Sequence, residues 1–236
     1  MVNVNNISIY FKNSTRRKDY ILENISLVIE KPQIFGLLGP NGAGKTTFIK
    51  TLLGLHIWYE GVVVINGFDR KCGKSNFLKS IGYVPENILL PEEETAINFL
   101  YRYSTFYGLS PEALSDEISN ALSLTDLESV QENKIKSFSK GMKKRLMFSH
   151  AILHQPNLLL LDEPFEGMDP IQKIKIREFL KNRKENGKTT LVSSHELGEI
   201  EKSCTKVAIM CNKSLQNPLK IDASTNLEEI FKQAVS

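Results

Sequence analysis

Residues 39–46 read Gly39-Pro40-Asn41-Gly42-Ala43-Gly44-Lys45-Thr46, which fills every fixed position of the phosphate-binding pattern G-x-x-x-x-G-K-[ST]. The glycines let the backbone curl so that successive N–H groups point inward at an anion, and a helix starting there aims its positive dipole end at the same point. Lys45 then reaches the β- and γ-phosphates, and the Thr46 hydroxyl can ligate Mg²⁺. Such a loop binds a nucleotide; which one, and for what use, depends on the rest of the chain. Asp162 and Glu163 adjoin at the end of the apolar run Leu158-Leu159-Leu160-Leu161. There one carboxylate can hold a small hard cation and the other can orient and deprotonate an attacking water. Ser193-Ser194-His195 closes the next apolar run.

These residues need elements to hold them. Ile34 to Leu38 is an apolar run of buried-strand length, and Thr46 to Leu53 has helical apolar spacing, so the phosphate loop joins strand to helix. Upstream, Val2 to Ile9 and Tyr20 to Ile29 alternate as half-buried antiparallel strands joined by the polar stretch Lys12 to Asp19, with Phe11 ending the first. Gly61 to Gly67 is a β-branched strand with a turn signal at Asn66-Gly67, and Ser80 to Glu86 is a strand stopped by Pro85 that leaves Glu86 at its end. Pro91 before Glu92-Glu93-Glu94, and Ser110-Pro111-Glu112, read as helix starts, so Pro91 to Leu127 is expected to be mostly helical. Ser139-Lys140-Gly141 opens a further helix with Met142, Leu146, Met147 and Ile152 or Leu153 as its apolar stripe.

After the Leu158 strand come an amphipathic helix from Ile171 to Lys184 ended by Gly187, and a strand from Thr189 to Ser193. Short strands near Val207 to Met210 and Leu215 to Ile221 and a helix from Leu227 to Ala234 follow. The alternation of strand and helix predicts an α/β fold on a parallel sheet.

The 236 residues, 41% hydrophobic, suit one large α/β domain. No run approaches a membrane span, and Met1 to Asn6 lacks the order of a signal peptide, so a soluble, cytoplasmic chain is expected. Cys72, Cys204 and Cys211 form no C-x-x-C pair and read as reduced thiols. A formal charge of +3 is too small for a dedicated nucleic-acid protein, and no nucleic-acid partner is expected. The basic runs Arg16-Arg17-Lys18 and Lys143-Lys144-Arg145 read as solvated surface.

The order of GPNGAGKT, FSKGM, LLLLDEP, GMD and SSH along the chain resembles the ATP-binding cassette (ABC) ATPases, and these motifs cover most of its length. Phe138-Ser139-Lys140-Gly141-Met142 stands where that family usually has LSGGQ. The resemblance implies a P-loop NTPase fold with a mostly parallel core sheet, an antiparallel β subdomain and a helical subdomain, all within one domain over residues 1–236. Residues 1–86 and 155–236 would form the β and core parts, and residues 87–154 the helical and signature part.

The implied cofactors are ATP and Mg²⁺. Residues 39–47, Thr47 included, would cradle the phosphates; Thr46, Glu86 and Asp162 would face the metal; Glu163 would be the base, with Lys45 and His195 at the γ-phosphate. Phe11 resembles the aromatic that stacks on adenine, with Tyr10 and Tyr20 as rivals. Ser139 and Gly141 would cap the γ-phosphate held by a second cassette in a head-to-tail dimer, and Asp169 would lie in the loop crossing that interface, unless it is a plain turn before Pro170.

Some positions depart from the family pattern. Glu86 stands for the usual glutamine, Lys140 and Met142 for a signature glycine and glutamine, and Glu166 and Met168 for a serine and leucine. The SKGM form is similar to cassettes of multi-subunit exporters. The implied function is ATP hydrolysis powering transport, export above all, through separate membrane subunits. These would dock near Glu86 to Tyr107, whose rings Phe99, Tyr101, Tyr103, Phe106 and Tyr107 pack mostly in the core, and would hold the chain on the inner face of the membrane. The alternative is a soluble cassette in a non-transport complex such as iron-sulfur cluster assembly.

Overall fold

The computed structural model describes residues 1–12, 17–70, 79–108, 111–222 and 224–235; Arg16, Cys72, Ser110 and the side chain of Phe106 lie outside the described residues. Two sheets carry the fold. β1 (Val2–Lys12), β2 (Lys18–Ile29), β4 (Tyr59–Ile65) and β5 (Phe68–Asp69) form an antiparallel sheet in the order β2-β1-β4-β5. Its alternating residues Val2, Val4, Ile7 and Ile9 on one strand, and Leu22, Ile25, Leu27 and Ile29 on its neighbour, are buried, as a half-covered sheet requires.

The second sheet contains β3 (Ile34–Leu38), β6 (Ile81–Val84), β7 (Leu158–Asp162), β8 (Thr189–Ser194) and β9 (Lys206–Cys211), with the short β10 (Ser214–Leu215) and β11 (Leu219–Lys220) at its edge. Its order is β10-β9-β3-β8-β7-β6, and the pairs β3–β8, β3–β9, β7–β8 and β6–β7 are parallel. In β7, Leu159 and Leu161 enter a core shared with helices while Leu158 and Leu160 enter the core beneath the antiparallel sheet. Both faces are therefore covered, which is why the strand is uniformly apolar rather than alternating.

α1 (Lys45–Leu53) follows β3 directly and buries Phe48, Ile49 and Leu52 under the antiparallel sheet. α2 (Ala96–Ser104), α3 (Pro111–Leu124) and α4 (Lys140–Ile152) pack on one another through Phe99, Leu100, Ile118, Leu122, Leu146 and Phe148. α5 (Pro170–Glu185), α6 (Leu197–Ser203) and α7 (Leu227–Val235) complete the helices. Among the described residues no helix is long and apolar enough to cross a membrane.

Three local expectations change. The helix expected from Pro91 begins instead at Ala96, where Thr95 Oγ1 accepts from Asn98 N at 3.3 Å. Glu92, Glu93 and Glu94 are engaged elsewhere, by Lys143, by Lys134 and Lys136, and by Arg102. α6 is an additional helix, seated on the core through fully buried Ile200. The run Lys143-Lys144-Arg145 is not simply solvated, because Lys144 is 0% exposed. Its side chain turns inward from α4 onto the segment after β7.

Candidate active site

Strand pairing assembles the site. Leu38 pairs with Ser194, Asp162 with Ser193 and Val84 with Leu161, so the segments leaving β3, β6, β7 and β8 emerge at one edge of the parallel sheet. Ligands of open α/β sheets bind at that edge. Gly44 caps α1 at φ 101°, a left-handed conformation that costs a residue lacking Cβ little, and so turns the loop sharply into the helix.

Phe11, Ile21, residues 41–47, Glu86 and Glu163 line a cleft of about 340 Å³. Gly39 and Pro40 do not line it, but their carbonyls accept from Lys45 Nζ at 2.7 and 3.2 Å. Lys45 Nζ also lies 3.2 Å from Glu163 Oε1. A phosphate oxygen entering the cleft competes with these oxygens for a buried ammonium, an exchange of one charge-assisted contact for another. A larger hollow of about 600 Å³ opens between α3 and α5 around Arg183, and none of the residues expected to bind or react lines it.

The carboxylates behind the loop differ in setting. Asp162 is fully buried and accepts from Ser193 Oγ at 2.5 Å, leaving Oδ2 buried without a hydrogen-bond partner among the described residues. Burial raises its pKa, opposed by the Ser193 and Thr46 hydroxyls and reinforced by the Glu86 and Glu163 charges. Thr46 Oγ1 donates to Glu86 Oε2 at 3.2 Å. Asp162, Thr46 and Glu86 together form a set of oxygen donors with one buried oxygen uncommitted. Such a set fits a hard divalent cation such as Mg²⁺.

Glu163 is 7% exposed and stands at φ 48°. Its Oε2 lies 3.0 Å from His195 Nδ1 and accepts from the His195 backbone N–H at 3.4 Å. The imidazole is partly exposed, 38% for the side chain, so it stands between the carboxylate and solvent. A buried carboxylate held between an ammonium and an imidazole at the phosphate end of a cleft can accept a proton from water.

The structure therefore brings together Lys45, Thr46, Glu86, Asp162, Glu163 and His195. Of the aromatic candidates, Phe11 lines the cleft, while Tyr10 and Tyr20 pack edge to face on each other at 5.6 Å. Ser139, Gly141 and Asp169 do not line it. Ser139 caps α4, its Oγ accepting from Met142 N at 3.2 Å, and Asp169 caps α5, its Oδ1 accepting from Gln172 N at 3.0 Å; both are exposed.

Sequence reasoning missed several supporting residues. Ser193 Oγ holds Asp162 and also accepts from Glu163 N at 3.2 Å, and its place in Ser193-Ser194-His195 could have pointed to it. His56 and Trp58 pack edge to face on Phe11 at 5.0 and 6.4 Å, with no motif to mark them. Lys144 supports Glu163 from inside a run that reads as surface.

Comparison with known proteins bears on the chain as a whole. A family model described as ABC transporter matches residues 22–166, more than half of the chain. The chain is 33% identical over 218 residues to the lantibiotic transport ATP-binding protein SrtF of Streptococcus pyogenes, covering 92% of each. Among solved structures, the ATP-binding subunit of an ABC transporter superposes with a TM-score of 0.90 at 29% identity, covering 99% of this chain and 98% of that one. A dimeric ATP-binding cassette in a post-hydrolysis state with ADP and Pi superposes with a TM-score of 0.85 over 94% of this chain and 100% of that one; at 23% identity it is a likeness of fold. From the family match and a relative aligned over nearly its full length, the chain belongs to the ABC transporter family, as an ATP-binding subunit that hydrolyses ATP to ADP and phosphate.

Proposed function

We propose that this ATPase works as a head-to-tail pair of cassettes and drives export through membrane-spanning subunits carried on separate chains, resting on the inner face of the membrane through them. Glu163 takes the proton of the attacking water. His195, 3.0 Å from Glu163 Oε2, keeps that oxygen turned toward the γ-phosphate, and Lys45 binds the β- and γ-phosphates. Thr46, Asp162 and Glu86 hold Mg²⁺, which supplies neutralising charge to the phosphate oxygens. Phe11 stacks on the base. Ser139 and Gly141, outside their own chain's cleft, meet the γ-phosphate in the partner's cleft, and the exposed Asp169 lies between the two. Residues 87–154 act as the lever that receives the membrane subunits.

The observation that carries the membrane-partner reading is the surface beside Glu86. Leu89 is 97% exposed, and Tyr101 and Tyr103 are more than a third exposed, so this segment offers apolar side chains to a partner. Phe99 is buried and Tyr107 stacks on His154 at 3.8 Å, so those rings belong to packing. The SKGM signature and the lantibiotic transport relative support export. Co-expression with the product of the adjacent gene tests this: a multi-span protein is expected to purify with the chain from detergent-extracted membranes. Recovery of a wholly soluble complex would overturn the transporter reading in favour of a non-transport assembly.

A further inference from the structure

The backbone of Glu163, at φ 48°, occupies a region that a residue with a long side chain rarely takes. Such a conformation persists only where its surroundings over-determine it. On one side the Glu163 N–H donates to Ser193 O and Ser193 Oγ, each at 3.2 Å. On the other its carbonyl accepts from Lys144 Nζ at 2.6 Å.

Lys144 comes from α4 and is fully buried, with Glu166 Oε2 3.7 Å from its ammonium. A lysine is almost never fully buried unless paired, and burial lowers the pKa of this one, so its position is costly and calls for a reason. The reason on view is the carbonyl of the residue that carries the carboxylate.

Two more contacts tie the same pieces. Lys140 Nζ lies 2.7 Å from Glu166 Oε1. A Cβ on Gly141 would stand 2.6 Å from Gly167 O, so only glycine admits this approach of α4 to the loop. Lys140 and Glu166 are positions where this chain departs from the family pattern, and they are each other's partner. With 69% and 38% of their side chains exposed, the pair adds little to stability; its effect is on position.

We propose that Lys144 is a positioning residue for hydrolysis: with the Lys140–Glu166 pair it locks the loop bearing Glu163 to the helix whose cap is Ser139, so that the base of one half-site and the cap offered to the other move as one body. The proposal rests on the roles of Glu163 and Ser139 given above. Lys144 itself touches no reacting atom. It acts by keeping the Glu163 backbone, and hence its carboxylate, in place.

The test uses the full-length chain, with ATP hydrolysis measured against ATP concentration and normalised to ATP-binding sites, and with thermal melting followed in parallel. Lys144→Met is expected to lower kcat by about tenfold or more while KM stays within about twofold, because a charge-assisted bond to the backbone carbonyl of Glu163 is lost and the phosphate loop is untouched. Lys140→Glu and Glu166→Lys are each expected to lower kcat severalfold, with the double reversal restoring most of it.

Parental kcat in a folded Lys144→Met, or a loss confined to KM, overturns the proposal. If Lys144→Met does not fold, the exposed pair decides: no loss in the single reversals, or no recovery in the double, overturns it. Glu163→Gln run alongside separates the two levels. Parental hydrolysis there removes the base assignment itself, whereas a deep loss there with parental kcat in Lys144→Met removes only the positioning role.

Discussion

Thr46 Oγ1 donates to Glu86 Oε2 at 3.2 Å, tying the first turn of α1 to the segment that leaves β6. A glutamine at this position would offer a neutral oxygen and an amide donor, whereas the glutamate adds a negative charge and, when ionised, only accepts. That charge is one of those that raise the Asp162 pKa, after burial itself. Glu86→Gln is therefore expected to change the hydrolysis rate, or its stimulation by the membrane subunits, more than it changes the Kd for ATP. Unchanged rates both with and without those subunits would show that the charge has no role.

The chain has a single tryptophan, Trp58, 6.4 Å from the Phe11 ring, with His56 between 5.0 and 6.1 Å from both. A base stacked on Phe11 changes the surroundings of this three-ring group. ATP is expected to shift or quench Trp58 emission. Phe11→Ala is expected to abolish that response and weaken binding by about threefold to tenfold, the worth of an aromatic stack. A full emission response in Phe11→Ala would move the base elsewhere.

His150 and His154 sit among Phe99, Tyr103 and Tyr107, and burial lowers both to about 4. Among the described residues His150 Nε2 has no hydrogen-bond partner, and His154 Nε2 meets Ile81 O at 3.1 Å. The unfolded chain protonates these rings near 6.5 and the folded chain only near 4, so between those values the unfolded state binds more protons. The stability that neutral rings contribute is present above pH 6.5 and is lost as pH falls toward 4. His150→Phe keeps the ring packing and removes one titration, so its pH–stability curve from denaturant titrations should be flatter there, by about 2–3 kcal/mol at the acid end. A slope equal to the parent's would mean that His150 protonates freely in the folded state.

Much of this was legible because the relevant signals are local. A phosphate loop needs fixed residues between a strand and a helix, and β7, covered on both faces, shows as an unbroken apolar run that ends in Asp162 and Glu163. The Ser139 cap and the turn into α5 are likewise set by near neighbours. What stayed hidden depends on contacts distant in sequence. Lys144 is surface by its charged neighbours and buried by the packing of α4 on the Glu163 loop. Trp58 reaches Phe11 because β1 and β4 pair, with Tyr10 N donating to Trp58 O at 3.1 Å. At Pro91 the local helix signals are good, yet Glu92 and Glu93 go to lysines across the fold, Glu94 to Arg102 of α2, and Thr95 takes the cap.

The central claim is that Glu163 is the base of a site completed by a second cassette, and Glu163→Gln tests it most directly. Hydrolysis by the purified variant should fall by about 10² to 10⁴. ATP binding should be retained, and size-exclusion chromatography with Mg²⁺ and ATP should show a persistent dimer that disperses when ATP is removed. Hydrolysis at the parental rate, or a variant that stays monomeric with ATP bound, would contradict the account.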